Sequence, residues 1–183
     1  MIRIRPARAE DAPAVTAIYN QGIAERAATF ETTPRRVEDI EARLRDPGRH
    51  VWLVASDGDA VIGWAGLSGY RPRDCYAGIA EFSVYLDADS RGRGVGKQLL
   101  EALVVAAGEQ GFHKLVSRIF TFNHASRGAC RAVGFREVGV YERHAALDGE
   151  WRDVVIVERL IPAHPRTADA AAHTTPRGHR HAG

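Results

Sequence analysis

Glu81 to Ala107, EFSVYLDADSRGRGVGKQLLEALVVAA, contains a strand, a glycine-rich turn and an amphipathic helix in succession. Phe82 to Leu86 alternates aromatic, β-branched and small residues, which suits a strand within a sheet. Asp87 to Ser90 carries turn chemistry, and Arg91-Gly92-Arg93-Gly94-Val95-Gly96-Lys97 places three glycines at alternate positions. Beyond them Val95, Leu99 and Leu103 form one row at four-residue spacing, and Leu100, Val104 and Ala107 form a second. Two adjacent rows of this kind make one buried helix face.

A glycine-rich turn that opens a helix gathers unpaired backbone N–H groups at the positive end of the helix dipole. Glycine also lets a bulky anion come close to that backbone, so the segment suits a phosphate or pyrophosphate. Two common phosphate patterns fail here. GxxxxGK[ST] needs glycine where Arg91 stands and Ser or Thr where Gln98 stands, and GxGxxG from Gly92 needs glycine at Lys97. The pattern that fits is [QR]-x-x-G-x-[GA], through Arg91, Gly94 and Gly96, which resembles the coenzyme A pyrophosphate loop of the GNAT superfamily of N-acetyltransferases. On these six residues alone, a solvated loop at a helix start is the competing reading.

Composition bounds the remaining classes. The 183 residues suffice for one domain with a real core. The 45% hydrophobic and 26% charged content is that of an ordinary globular chain. No apolar run reaches membrane-spanning length, and the start MIRIRPARAED lacks a signal-peptide core. Cys75 and Cys130 are the only cysteines, so a reducing, cytoplasmic setting is expected rather than a disulfide framework. The formal net charge of +2 gives no nucleic-acid surface.

Outward from the central segment, Ile2 to Arg5 reads as a first strand and Asp11 to Glu25 as a helix. Thr33-Pro34 supplies a cap and first-turn proline for a second helix reaching about Leu44. His50 to Ser56 and Ala60 to Tyr70 form a hairpin about Asp57-Gly58-Asp59. After the central helix come a strand over His113 to Phe120, a short helix over Asn123 to Ala132 stopped by Gly134, and a strand over Phe135 to Tyr141. A second hairpin turn at Leu147-Asp148-Gly149-Glu150 leads to a closing strand over Trp151 to Leu160. Residues 162–183, rich in Ala, His, Arg and Pro, read as a disordered tail, and its four histidines as solvated rather than metal-binding.

This order, β-α-α-β-β-β-α-β-α-β-β, is similar to the GNAT fold over Ile2 to Leu160. Within that superfamily the chain resembles the phosphinothricin N-acetyltransferase group. The residues carrying the match are Ile2 to Ala7, Ile18-Tyr19-Asn20, Thr29-Phe30, Pro34, Tyr70-Arg71-Pro72-Arg73 with Tyr76, and Glu81 with Ser83-Val84-Tyr85. The 91–96 loop, Asn123 with Ser126, Gly134-Phe135, and Trp151 with Asp153 complete it. The resemblance implies an α/β architecture with a central mixed, mostly antiparallel seven-stranded sheet, splayed at the acetyl-CoA site and flanked by about four helices, over residues 1–161.

It also implies transfer of acetyl from acetyl-CoA, with no metal, to the α-amine of a small amino-acid-like acceptor such as phosphinothricin or methionine sulfoximine. Arg91, Gly92, Arg93, Gly94, Val95, Gly96 and Lys97 would hold the pyrophosphate. Val84, Tyr85 and Leu86 would pair with the pantetheine arm, and Asn123 and Ser126 would bind near its end. Glu81 is the expected general base, since an isolated carboxylate on the central strand would have a raised pKa; simple pairing with an arginine is its competing reading. Arg71 and Arg73 would clamp the acceptor's acid groups, with Phe30 and Tyr76 beside them and Tyr19 and Asn20 as further pocket walls. Tyr19 and Phe30 could equally be core aromatics.

The leaving thiolate needs a proton, and here the chain departs from the group. Cys130 stands where the group has histidine and many superfamily members tyrosine. Either Cys130 is a buried, inert thiol and the proton comes from water or Tyr85, or Cys130 is a weak donor. A homodimer with Trp151 at its interface is implied, with no nucleic-acid or membrane partner. Competing functions are a broader L-amino-acid or arsinothricin N-acetyltransferase, a peptide N-terminal acetyltransferase, and a coenzyme A-binding sensor without turnover.

Overall fold

Sequence periodicity becomes tertiary structure here by burying alternate strand faces under different helices. The computed structural model describes residues 1–46 and 50–162. In chain order it contains β1 (Ile2–Pro6), α1 (Ala12–Glu25), α2 (Val37–Arg45), β2 (Trp52–Asp57), β3 (Ala60–Gly69), β4 (Ile79–Leu86) and α3 (Val95–Glu109). β5 (Lys114–Phe120), α4 (His124–Ala132), β6 (Arg136–Leu147) and β7 (Glu150–Leu160) follow. One seven-stranded sheet runs β1-β2-β3-β4-β5-β7-β6. Its pairings are antiparallel except that of β4 with β5. A parallel pair needs a crossover, which α3 supplies.

Alternation along the strands divides the core in two. Leu53, Ala80, Phe82, Leu115, Ile119, Val155 and Val157 cluster with Val95, Leu99, Leu103 and Ala107 of α3. Trp52, Val54 and Trp64 instead cluster with Val15 and Ile18 of α1 and Ile40 and Leu44 of α2. Burial stabilises by about 1.5–3 kcal/mol per large aliphatic side chain, so the fully buried Leu99 and Leu103 anchor α3 to the sheet. Truncating either to alanine costs about 2–5 kcal/mol.

Both hairpin turns follow their local chemistry. Gly58 (φ 60°) turns β2 into β3, and Asp148 and Gly149 (φ 50° and 81°) turn β6 into β7, all in the left-handed region that such residues tolerate best.

Two boundaries depart from expectation. The second helix starts at Val37, not at Thr33-Pro34, because Asn20 holds the preceding backbone open. Its Nδ2 donates to Arg35 O at 3.0 Å, and its Oδ1 accepts from Arg35 N at 2.8 Å. Arg36 is therefore extended, with φ −90° and ψ 151°. The strand expected over Phe135 to Tyr141 continues to Leu147, because a bulge between Tyr141 and Ala145 restores its pairing with β7. The expected tail at 162–183 lies outside the described residues apart from Pro162.

Candidate active site

The site begins where two strands part. β4 and β5 pair only through Ile79–Lys114, Ala80–Leu115 and Glu81–Val116. Beyond that point β4 stays with β3 as far as Leu86, and β5 stays with β7 as far as Phe120. Ser117 Oγ donates to Phe82 O at 2.9 Å and bridges the vertex. The diverging strands leave the β5-facing edge of Ser83 to Leu86 along a cavity of about 830 Å³, walled opposite by α4 residues including Ser126, Ala129 and Cys130.

At one end of this cavity lies the glycine loop. Gly92 and Gly94 have φ 76° and 78°, and a Cβ at either would meet nothing within 4 Å. Glycine is there for the backbone conformation rather than for packing. Gly94 is the N-cap of α3, so the N–H groups of Val95, Gly96 and Lys97 begin the helix without intrahelical acceptors. Gln21 of α1 braces the approach to the loop: its Nε2 donates to Asp87 Oδ1 at 3.1 Å and its Oε1 accepts from Ala88 N at 3.2 Å. Nothing in the residues next to Gln21 signals this brace.

The expected anion-binding side chains separate. Arg91 and Lys97 line the cavity together with Gly92, Gly94, Val95 and Gly96. Arg91 is ion-paired with Glu25, also a wall residue, at 2.9 Å. Arg93 does not line the cavity; it reaches Asp57 at the end of β2 at 2.6 Å. Asn123 is a cap and a tether: its Oδ1 accepts from Ser126 N at 3.0 Å, and its Nδ2 donates to Ala27 O at 3.0 Å. The latter bond ties the loop after α1 across the mouth of the cleft.

A second cavity, of about 400 Å³, adjoins the first and shares Ala28, Phe82, Ser83, Tyr85, Ser117, Arg118 and Phe120 with it. Its other walls include Tyr19, Phe30, Glu31, Glu81 and His144. Phe30 meets Phe120 edge-on at 4.7 Å between centroids. Tyr19 is both core and wall, packing edge-on to Trp64 at 5.5 Å and to Tyr85 at 4.8 Å. Asn20 is the backbone bracket described above and lines neither cavity.

Glu81 stands at the vertex, the last β4 residue paired with β5, and lines the second cavity. It is not isolated as expected, because Arg118 of β5 donates to its carboxylate. The side chains are 22% and 47% exposed, so the arginine remains open to the cavity. Arg71, Arg73 and Tyr76 line neither cavity. Arg71 lies over the Tyr70 ring at 5.2 Å, and Tyr70 packs on Tyr76 at 5.7 Å, so this loop is held by its own aromatics.

The two candidate thiolate partners are poor proton sources. Burial pushes the Cys130 thiol up to about 12, against about 8.5 for a free thiol. Proton transfer from it to a leaving thiolate is uphill. Burial likewise raises the Tyr85 phenol, whose hydroxyl donates to Ala28 O at 3.3 Å.

Several wall residues escaped sequence reading, Arg118 and His144 among them. Arg118 had one available signal: alternation along β5 puts Val116, Arg118 and Phe120 on one face of a central strand, where an arginine needs a partner. His144 had none. It sits in the β6 bulge, where Arg143 adopts φ 46° and its N–H donates to Asp153 Oδ1 at 2.7 Å.

An extended cleft with helix-start N–H groups at one end and an unpaired strand edge along its side fits acetyl-CoA. Val84, Tyr85, Leu86, Arg91, Lys97 and Ser126 are all in its wall. The family model for the acetyltransferase (GNAT) domain matches residues 2–136. An L-methionine sulfoximine/L-methionine sulfone acetyltransferase from Pseudomonas aeruginosa is 35% identical over 158 residues, covering 85% of this chain and 92% of that protein. A phosphinothricin N-acetyltransferase from Alcaligenes faecalis is 34% identical over 166 residues, covering 87% and 83%. The solved structure of a GNAT superfamily phosphinothricin acetyltransferase from Sinorhizobium meliloti, in complex with acetyl-CoA, superposes with a TM-score of 0.82 at 30% identity, covering 91% and 97%. With the split sheet, the glycine loop and these relatives together, the chain belongs to the GNAT family of acetyltransferases, as a phosphinothricin N-acetyltransferase-like acyltransferase.

Proposed function

We propose that the protein transfers acetyl from acetyl-CoA to the α-amine of a small amino-acid-like acceptor, with L-methionine sulfoximine, L-methionine sulfone or phosphinothricin as the leading candidates. The observation that carries this reading is the pair of cavities meeting where β4 and β5 part, with Glu81 in the wall of the smaller one next to the shared Phe82 and Ser83. The larger cavity suits an extended cofactor. The smaller, at about 400 Å³, suits an acceptor of amino-acid size. The names of the relatives support the same acceptor class.

The co-substrate supplies an acetyl group activated as a thioester. The helix-start N–H groups of Val95, Gly96 and Lys97 bind its pyrophosphate, and Arg91 adds charge after exchanging Glu25 for the anion. The Ser83–Leu86 edge binds the amide-bearing arm as an added strand would, and a backbone N–H there stabilises the charge developing on the acetyl oxygen. Phe30, Phe120 and Tyr85 keep water from the acceptor. Glu81 accepts the proton of the arriving ammonium, directly or through water, and frees the nitrogen lone pair for attack. With Cys130 and Tyr85 both poor acids, the thiolate leaves as such and takes its proton from water.

A homodimer in a cytoplasmic setting completes the reading. Val140, Tyr141 and Trp151 of the edge hairpin are 52%, 54% and 63% exposed, an apolar surface suited to a second copy. Sedimentation of the full chain tests the dimer. Thiol release from acetyl-CoA, measured with phosphinothricin, L-methionine sulfoximine and the twenty amino acids, tests the function. Fast turnover confined to the first two establishes the acceptor class, whereas silence across the panel with acetyl-CoA still bound rejects it.

A further inference from the structure

Among the described residues lining the acceptor cavity, Arg118 and His144 are the basic side chains, and a guanidinium is not deprotonated in proteins. The carboxylates in that wall are Glu31, tied to Arg35, and Glu81, tied to Arg118. Arg71 and Arg73, the arginines expected to clamp the acceptor, lie outside the wall. An anionic acceptor entering the cavity therefore meets Arg118 as its fixed cation.

The guanidinium is already half committed. One terminal nitrogen serves Glu81, and a planar guanidinium has five donors in a rigid fork. The 47% exposure of Arg118, against 22% for Glu81, leaves further N–H groups open. Resting on the acceptor reading above, we propose that Arg118 is the anchor for the acceptor's α-carboxylate, bridging it to Glu81 and so setting the distance between acid group and base. In an α-amino acid the amine and carboxylate share one carbon. A carboxylate held on the free edge of Arg118, which lines both cavities, brings its own α-nitrogen to Glu81. A simple amine lacks the anchor. A β- or γ-amino acid carries its nitrogen past the base. Arg118 is thus a specificity-determining residue that measures the acceptor from a point beside the base.

The test uses the full-length enzyme and two probes, L-methionine sulfone and its carboxamide, in which the α-carboxylate becomes a neutral amide. Thiol release is followed for wild type, Arg118→Gln and Arg118→Lys. Wild type prefers the acid, and R118Q loses about 10- to 100-fold in kcat/KM for the acid, the scale of a charge-assisted contact. R118Q loses much less for the carboxamide, so the preference collapses, and R118K, which keeps the charge, restores part of it. Thermal unfolding and the KM for acetyl-CoA separate loss of the anchor from loss of the fold. Equal losses for both probes overturn the anchor, as does a collapse of the preference in Arg73→Ala but not in R118Q. Silence of the wild type toward both probes refutes the acceptor class itself, an outcome distinct from turnover with unchanged preference.

Discussion

Replacing Gly22 with alanine sets two effects of similar size against each other. Gly22 is buried within α1, where alanine gains about 1 kcal/mol of helix propensity over glycine. A Cβ at Gly22, however, would lie 2.8 Å from two ring carbons of Tyr85. That ring has nowhere to retreat. It is stacked on Trp64 at 4.9 Å and 23°, Trp64 is stacked on Trp52 at 4.7 Å, and Tyr19 closes the side at 4.8 Å. Overpacking of this kind costs about 1–3 kcal/mol, so G22A should be neutral to about 2 kcal/mol less stable than wild type.

The assay is a double-mutant cycle with Tyr85→Leu, read by denaturant unfolding. Removing the ring frees the space, so G22A becomes stabilising in the Y85L background and the coupling energy reaches about 1–3 kcal/mol. Because Tyr85 walls both cavities, G22A alone should also lower turnover. A G22A single variant about 1 kcal/mol more stable than wild type, with no coupling to Tyr85, would refute the close approach of α1 to β4.

Three further outcomes follow from the same geometry. Glu81→Gln should lower kcat by about 10²- to 10⁴-fold, the usual weight of a general base, with the KM for acetyl-CoA nearly unchanged; an unaltered pH–rate profile would remove Glu81 from that role. Asn123→Ala loses a cap and a tether worth about 1 kcal/mol each, which lowers Tm by roughly 4–8 °C for a chain of this size. Asn123→Asp keeps the acceptor for Ser126 N but not the donor to Ala27 O, and should fall between the two; a wild-type Tm would show the tether contributes nothing. The buried Asp11 is held below the usual carboxylate range by the Arg5 guanidinium at 2.7 and 2.8 Å. Its depressed folded-state pKa contributes stability above the unfolded value of about 3.9 that is lost as pH falls through the folded one. Asp11→Asn should therefore be less stable at neutral pH and lose less on acidification, as urea midpoints at pH 7 and pH 3 would show.

What could be read from the sequence tracks how local each feature is. The rows Val95-Leu99-Leu103 and Leu100-Val104-Ala107 are buried as their spacing demands, and Gly58 and Asp148-Gly149 turn where turn residues stand. Pro34 misleads because Asn20 captures the backbone of Arg35, 15 residues further along the chain. Arg93 lies in the loop motif, yet a partner 36 residues away takes its side chain. The cofactor cleft takes its glycine loop and strand edge from one run, Ser83 to Lys97, so a motif can describe them. The smaller cavity, proposed to take the acceptor, draws on Tyr19, the 28–31 loop, Ser68, β4, β5, His144 of the bulge and Val154 of β7. Sheet register and the packing of α1 with the loop after it bring these together, and Glu81 meets Arg118 across 37 residues. If the smaller cavity takes the acceptor as proposed, a substitution at Arg118 or His144 changes the acceptor without touching the segment that marks the family. Relatives sharing the glycine loop should diverge first in the walls of the smaller cavity, and acceptor identity has to be argued from those walls.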